Sequence, residues 1–130
     1  MTRVGVYGSL RKGFGNHGRL HNAEFVGTTT TTEAYSMYSL GGFPMVQLEG
    51  VKVGPITVEI YDCNDEVMHG LDMLEGYRGP GHSNFYDRSE VETGLGTALI
   101  YHIEGGRAAL LEPIESGDWK EYCDKRANRY

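Results

Sequence analysis

Between Ile56 and Gly76 the apolar residues change period, and that change restricts the fold more than any other feature of the chain. Ile56-Thr57-Val58-Glu59-Ile60-Tyr61 alternates with the period of a half-buried strand. Asn64 and Asp65 then supply N-cap chemistry, and Val67, Met68, Leu71 and Leu74 recur at helical spacing. Gly76 suits the position just past a helix end, which puts Glu75 on the last turn or at its exit.

The rest of the chain reads as strands in runs. Arg3 to Tyr7 is short and β-branched and stops at Gly8. Residues 8 to 16 form a loop, and His17 to Asn22 has room for a short helical turn. Glu24 to Leu40, with five threonines at Thr28–Thr32, has strand composition for two strands or one bent one. Gly41-Gly42-Phe43-Pro44 is a turn before a short strand at Met45 to Leu48, and Gly50 to Gly54 turns again. Residues 77 to 84 are a Gly/Pro loop. Phe85 to Thr93 and Thr97 to Ile103 flank Gly94-Leu95-Gly96 as a hairpin, and Glu104-Gly105-Gly106 turns. Ser116 is placed to cap a final helix carrying Asp118, Trp119, Tyr122 and Cys123, with Trp119 in the core. Six or seven strands in runs, with two helices, point to an α+β fold rather than a doubly wound sheet.

At 130 residues the chain is expected to form one domain over residues 1–130. A chain of that size buries roughly two thirds of its extended surface, enough for a core without metals or disulfides. Nineteen glycines against four prolines, clustered between the strand patterns, indicate tight turns rather than disorder. The net charge of −6, with no Lys/Arg run, argues against nucleic-acid and anionic-membrane partners. Lys120, Lys125, Arg126 and Arg129 are interleaved with acids and read as a solvated helix face. No apolar run approaches the roughly 20 residues of a membrane helix, and the first residues lack a secretory pattern. Cys63 and Cys123 are read as reduced thiols, which fits a cytoplasmic protein.

Chemistry is suggested at two places. Val4-Gly5-Val6-Tyr7-Gly8-Ser9-Leu10, followed by Arg11-Lys12-Gly13-Phe14-Gly15, runs a strand into a glycine and a small hydroxyl residue. Such a transition leaves backbone N–H groups free to face a ligand. The spacing is neither a phosphate loop nor a dinucleotide fingerprint, and no G-x-S-x-G elbow surrounds Ser9. An ordinary strand-to-loop turn satisfies these residues equally well. Glu75 meets the unfavourable end of a helix dipole. Partial burial there would raise its carboxyl toward the working range of a general base, whereas exposure would leave it an ordinary solvated side chain. His17 and His21 are four apart without a third ligand, and His69, His82 and His102 show no metal spacing, so no metal site is expected. Tyr86 and Arg88 alternate with Phe85 and Asp87 and should share a strand face.

Several of these pieces occur together in an order that carries a resemblance. Tyr7-Gly8-Ser9-Leu10, Gly42-Phe43-Pro44, Leu71-Asp72-Met73-Leu74-Glu75-Gly76-Tyr77, Tyr86-Asp87-Arg88 and Ser116-Gly117-Asp118-Trp119 span nearly the whole chain. In this arrangement the chain resembles the gamma-glutamylcyclotransferase-like family, which includes the gamma-glutamylamine cyclotransferases. The resemblance implies a partly closed β-barrel flanked by two or more helices, with a pocket at one end where Tyr7–Leu10 and Glu75 meet. It implies release of 5-oxoproline and a free amine from a gamma-glutamyl amine or peptide, without metal or organic cofactor. Glu75 would be the general acid/base. Tyr7, Gly8, Ser9 and Leu10 would anchor the substrate, with Phe43, Pro44, Tyr86 and Arg88 as further binding residues, and the loop after Gly76 would border the pocket. Whether the Tyr7–Leu10 backbone holds the α-carboxylate or the γ-carbonyl oxygen stays open. The expected partner is a small gamma-glutamyl compound, met by a monomer or weak homodimer. The competing expectation is a non-catalytic module holding a small anionic metabolite in the same pocket.

Overall fold

The change of period marks a real junction. In the computed structural model, which describes residues 1–106 and 111–127, strand β5 (Thr57–Cys63) runs into helix α1 (Asp65–Glu75). Asn64 caps α1 by accepting the Val67 N–H at 2.9 Å. Gly76 ends it in the left-handed region at φ 69°, where Tyr77 N donates to Asp72 O at 2.8 Å. The helix presents Val67, Met68 and Leu71 to the core.

The other strands are β1 (Thr2–Val6), β2 (Glu24–Thr30), β3 (Ser36–Ser39), β4 (Pro44–Gln47), β6 (Asp87–Thr93) and β7 (Gly96–His102). Five of the seven make one sheet in the order β2-β5-β1-β7-β6, and β3 and β4 form a separate two-stranded ribbon. β1 lies at the centre, antiparallel to β5 and parallel to β7, with Val4 opposite both Tyr61 and Leu99. β6 and β7 form the expected hairpin, in register from Asp87–His102 to Thr93–Gly96. The outer strands meet at one corner, where Thr32 N donates to Glu92 O at 3.0 Å and Gly94 N to Thr30 O at 3.1 Å. The described residues thus form a curled sheet and show no closed barrel.

Both faces of the sheet are covered. On one side Val4, Val6, Tyr61, Cys63 and Tyr101 pack with Met68 and Leu71 of α1. On the other, Val58, Ile60, Val91 and Ile100 pack with Met37 and Val46 of the ribbon and Trp119 of helix α2 (Trp119–Ala127). This corrects the reading of Ile56–Tyr61 as half-buried. Val58, Glu59, Ile60 and Tyr61 are all buried, because an element covers each face. A second correction concerns α2, whose cap is Asp118 rather than Ser116. Asp118 Oδ1 accepts the N–H groups of Lys120 and Glu121, while Ser116 Oγ accepts only Asp118 N. Lys120, Lys125 and Arg126 are exposed as expected, and Arg129 lies outside the described residues. No described helix is long and apolar enough to cross a membrane.

Candidate active site

The turn after β1 is shaped by a distant proline. A Cβ on Gly8 would stand 2.8 Å from Cγ and Cδ of Pro44, so only glycine lets the Gly42–Pro44 turn close against it. The loop then folds back on its own carbonyls. Gly8 O accepts Arg11 N at 3.0 Å, and Ser9 O accepts Asn16 N at 3.0 Å. Ser9 Oγ accepts Asn16 Nδ2 at 2.9 Å, so this serine is tied into the loop. With the carbonyls engaged, the N–H groups of Gly8, Ser9 and Leu10 donate to no acceptor among the described residues.

An ion-pair network pins this loop from behind. The buried Arg11 guanidinium donates Nε to Glu59 Oε2 at 2.9 Å and Nη1 to Asp118 Oδ1 at 2.8 Å. Glu59 Oε1 also accepts Lys12 N at 2.9 Å and the Tyr61 hydroxyl at 3.0 Å. One side chain therefore joins the loop to β5 and to the cap of α2. The guanidinium beside it holds the Asp118 carboxyl below its ordinary value, against the opposing effect of burial.

Glu75 is positioned from two directions. The helix end presents it, and the chain returning to β6 locks that end. Phe85 N donates to Gly76 O at 3.0 Å and Tyr86 N to Glu75 O at 3.1 Å. A Cβ on Gly76 would sit 2.9 Å from Cβ of Phe85, so the lock depends on glycine for both conformation and space. The Glu75 side chain lines a cavity of about 320 Å³ whose wall also contains Gly8, Ser9 and Leu10. That volume falls at the small end of ligand pockets.

Three tyrosines stand around this carboxyl, and each hydroxyl is committed elsewhere. Tyr7 donates to Tyr101 O at 2.7 Å and accepts Val46 N at 3.2 Å. Tyr86 donates to Pro44 O at 2.7 Å, and Tyr101 to Asp72 Oδ1 at 2.7 Å. Glu75 is left without a hydrogen-bond donor among the described residues, and burial alone pushes its carboxyl up to about 7. Burial also raises all three tyrosines, and the Glu75 charge adds to the rise in each. Among the described residues no Lys, Arg or His lines the cavity, and its polar groups are the Glu75 carboxyl, the Ser9 and tyrosine hydroxyls, Asn16 and the backbone.

The expected residues Tyr7, Gly8, Ser9, Leu10, Phe43, Pro44, Glu75 and Tyr86 all border this one cavity. Arg88 does not. Asp72 claims it, with Arg88 Nη1 at 3.0 and 2.8 Å from the two carboxylate oxygens, and its guanidinium lies 4.7 Å from the centre of the Tyr77 ring. The loop after Gly76 also departs from expectation. Tyr77, Arg78, Gly79 and Pro80 line a separate depression beside Asp72 and Arg88. Asn84 staples that loop to itself, accepting Arg78 N and donating to Gly79 O, and no residue from 77 to 84 lines the cavity of Glu75. Sequence reasoning passed over Tyr101, Asn16 and Asp72. Tyr101 lies in the apolar run Ala98-Leu99-Ile100-Tyr101, which marks a strand but not the face each residue takes. His17 Nδ1 contacts Leu10 O at 2.9 Å, and no described cluster of His, Cys, Asp or Glu has the makings of a metal site.

Known proteins resemble this chain over nearly its whole length. The family model described as gamma-glutamyl cyclotransferase, AIG2-like, matches residues 4–121. A Methanocaldococcus jannaschii protein, named provisionally as a gamma-glutamylcyclotransferase, is 37% identical over 94% of this chain and 98% of its own. The gamma-L-glutamyl-butirosin B gamma-glutamyl cyclotransferase of Niallia circulans is 32% identical over 94% of this chain and 78% of its own. Among solved structures, an uncharacterised Pyrococcus horikoshii protein superposes with a TM-score of 0.78 at 28% identity, covering 100% of this chain and 99% of that one. A mouse AIG2-like protein gives a TM-score of 0.75 at 23% identity over 88% and 86% of the two chains, a likeness of fold. The residues around the cavity and the match over nearly the whole chain lead to one conclusion: this chain belongs to the AIG2-like gamma-glutamyl cyclotransferase family.

Proposed function

We propose that this protein releases 5-oxoproline and a free amine from a gamma-glutamyl amine or peptide, with Glu75 moving the protons. One observation carries the reading: a half-buried carboxyl, without a donor among the described residues, shares a small cavity with three unused backbone N–H groups. The Niallia circulans relative, named for its action on a gamma-glutamyl-butirosin, supports a gamma-glutamyl head group as the part recognised.

The chemistry needs little more than these parts. The substrate's α-amine attacks its own γ-carbonyl, so the nucleophile is already tethered and binding only has to fold the substrate. At neutral pH that amine is an ammonium and must first lose a proton. A carboxyl titrating near 7 takes it. A C–N bond forms, the carbonyl oxygen gains negative charge, and the N–H groups of Gly8, Ser9 and Leu10 are placed to offset charge on that oxygen or on the α-carboxylate. The bond to the leaving nitrogen then breaks as Glu75 returns the proton to it, and the second proton shed by the attacking nitrogen follows through Glu75 to the freed amine, which departs as its ammonium. With both protons of the original ammonium so placed, atoms and charge balance without an external reagent, and Ser9 takes no part as a nucleophile.

The reading extends to a reducing compartment such as the cytoplasm, supported by free thiols at buried Cys63 and half-buried Cys123. The test is 5-oxoproline release from a panel of gamma-glutamyl amines and dipeptides, with Glu75→Gln beside the wild type. Turnover lost in the variant supports the reading. Turnover equal in both, or intact ligand recovered from wild type that binds it, overturns it.

A further inference from the structure

Asp72 and Glu75 are three residues apart on α1 and so project from neighbouring positions on one face of the helix. Two carboxylates thus stand within one turn of each other, and Tyr101 is bonded to one and shares a cavity wall with the other. Tyr101 lines the cavity with Glu75, and the Glu75 charge reaches its hydroxyl. Yet that hydroxyl donates to Asp72 Oδ1 at 2.7 Å. Arg88 fixes the outcome of this competition from outside the cavity. Its Nη1 grips both Asp72 oxygens, at 3.0 and 2.8 Å, and holds the carboxylate where the phenol meets it.

We propose that Asp72 is a positioning residue for Glu75: by holding the Tyr101 hydroxyl, it denies the Glu75 carboxylate a hydrogen-bond donor. The consequence is chemical. A carboxylate given a phenolic donor is stabilised as the anion and becomes a weaker base. A single carboxyl that must take a proton and then return it works best when it titrates near the operating pH. The arrangement keeps Glu75 in that condition by occupying the one phenol not bound to a backbone carbonyl. The other ionisable groups on the cavity wall, Tyr7 and Tyr86, donate to main-chain oxygens and keep those partners when Asp72 is changed. Arg88 is the charged group behind Asp72, and its charge stays in every variant below.

This inference rests on Glu75 being the proton-transfer group, but its test needs no turnover. Protein labelled with 13C at the glutamate carboxyls is titrated by NMR without substrate, the Glu75 signal being assigned by its loss in Glu75→Gln. Asp72→Ala is expected to lower the Glu75 midpoint by about one pH unit. Tyr101→Phe alone is expected to leave it in place, because that hydroxyl is already engaged. Asp72→Ala with Tyr101→Phe is expected to reverse at least half of the shift, since the lost Asp72 charge is common to both variants and only the phenol differs. Asp72→Asn, whose amide oxygen still accepts the phenol, is expected to stay closer to wild type, and Asp72→Leu, which accepts nothing, takes the place of the alanine variant if that one does not fold. An unmoved midpoint in Asp72→Ala, or an equal shift with and without the Tyr101 hydroxyl, overturns the proposal. The pH profile of kcat/KM separates the two readings. If the carboxyl midpoint moves while the acid limb does not, Asp72 positions Glu75 as proposed and Glu75 is not the base.

Discussion

Glu59 is buried and Glu75 half-buried, and the fold treats the two carboxyls in opposite ways. Glu59, 5% exposed, receives the Arg11 guanidinium, the Lys12 N–H and the Tyr61 hydroxyl. Glu75 receives no donor among the described residues, although three tyrosine hydroxyls are close enough to feel its charge. The first is a carboxylate used as a fastener: every donor around it is spent on holding the loop, β5 and α2 together. The second is a carboxyl kept ready to change protonation state. The contrast teaches that burial marks a reactive carboxyl only together with the absence of partners. The fastener also serves the site, because the loop it secures carries the N–H groups of Gly8, Ser9 and Leu10.

Breaking each carboxyl site should therefore damage a different property. Glu75→Gln is expected to reduce 5-oxoproline release by about 10³–10⁴-fold, equivalent to roughly 4–5 kcal/mol of barrier, while melting no lower than wild type at pH 8. Arg11→Ala should do the reverse in kind. It strands Glu59 without its cation and is expected to cost about 3–5 kcal/mol of stability, read from urea unfolding. If Arg11→Ala unfolds at wild-type denaturant concentrations, Glu59 is not the fastener described.

The two sites should also answer to pH at opposite ends. Glu75 titrates near 7 in the fold against 4.5 for an ordinary glutamate, so the native state keeps a proton that the unfolded state has lost. Its contribution is fully present below about pH 4.5 and is lost as pH rises through 7, a fall of up to about 3 kcal/mol that Glu75→Gln should abolish. Asp118 is shifted down by Arg11, so its contribution is present above its ordinary value and lost as pH falls through its lower folded value. Unfolding free energies of wild type and Glu75→Gln that stay parallel from pH 5 to 8 would count against the Glu75 assignment.

A smaller effect tests the joint between the two regions. Gly8→Ala forces a Cβ into Pro44 and is expected to cost about 1–3 kcal/mol, with a loss of activity larger than the loss of folded protein. Unchanged activity would mean that the loop's position against Pro44 does not matter to the site.

Much of the fold was readable locally. Asn64, the apolar spacing of Val67 to Leu71 and Gly76 specify α1 through contacts within a few residues, and Gly94-Leu95-Gly96 specifies the β6–β7 hairpin in the same way. The cap of α2 was misplaced by two residues because Ser116 and Asp118 are both good caps, and the choice follows from Arg11 pairing with Asp118. The resemblance implied a binding role for Arg88, while strand alternation gave only the face it shares with Tyr86 and not the partner waiting there. That partner was Asp72, sixteen positions away on a helix.

The residue types at the site, a glycine turn after β1 and a glutamate at a helix exit, are local facts, written into neighbouring residues and legible without a fold. Their function is not local. Glu75 titrates near neutrality only because packing strips part of its water and because Tyr7, Tyr86 and Tyr101 find acceptors on β7, β4 and α1. Gly8 is required by Pro44, 36 positions on, and the alternating Glu59 is buried only because Arg11 folds over it. Local hydrogen bonding and periodicity act within a few residues of the chain, whereas desolvation and charge pairing depend on which distant residues arrive in space.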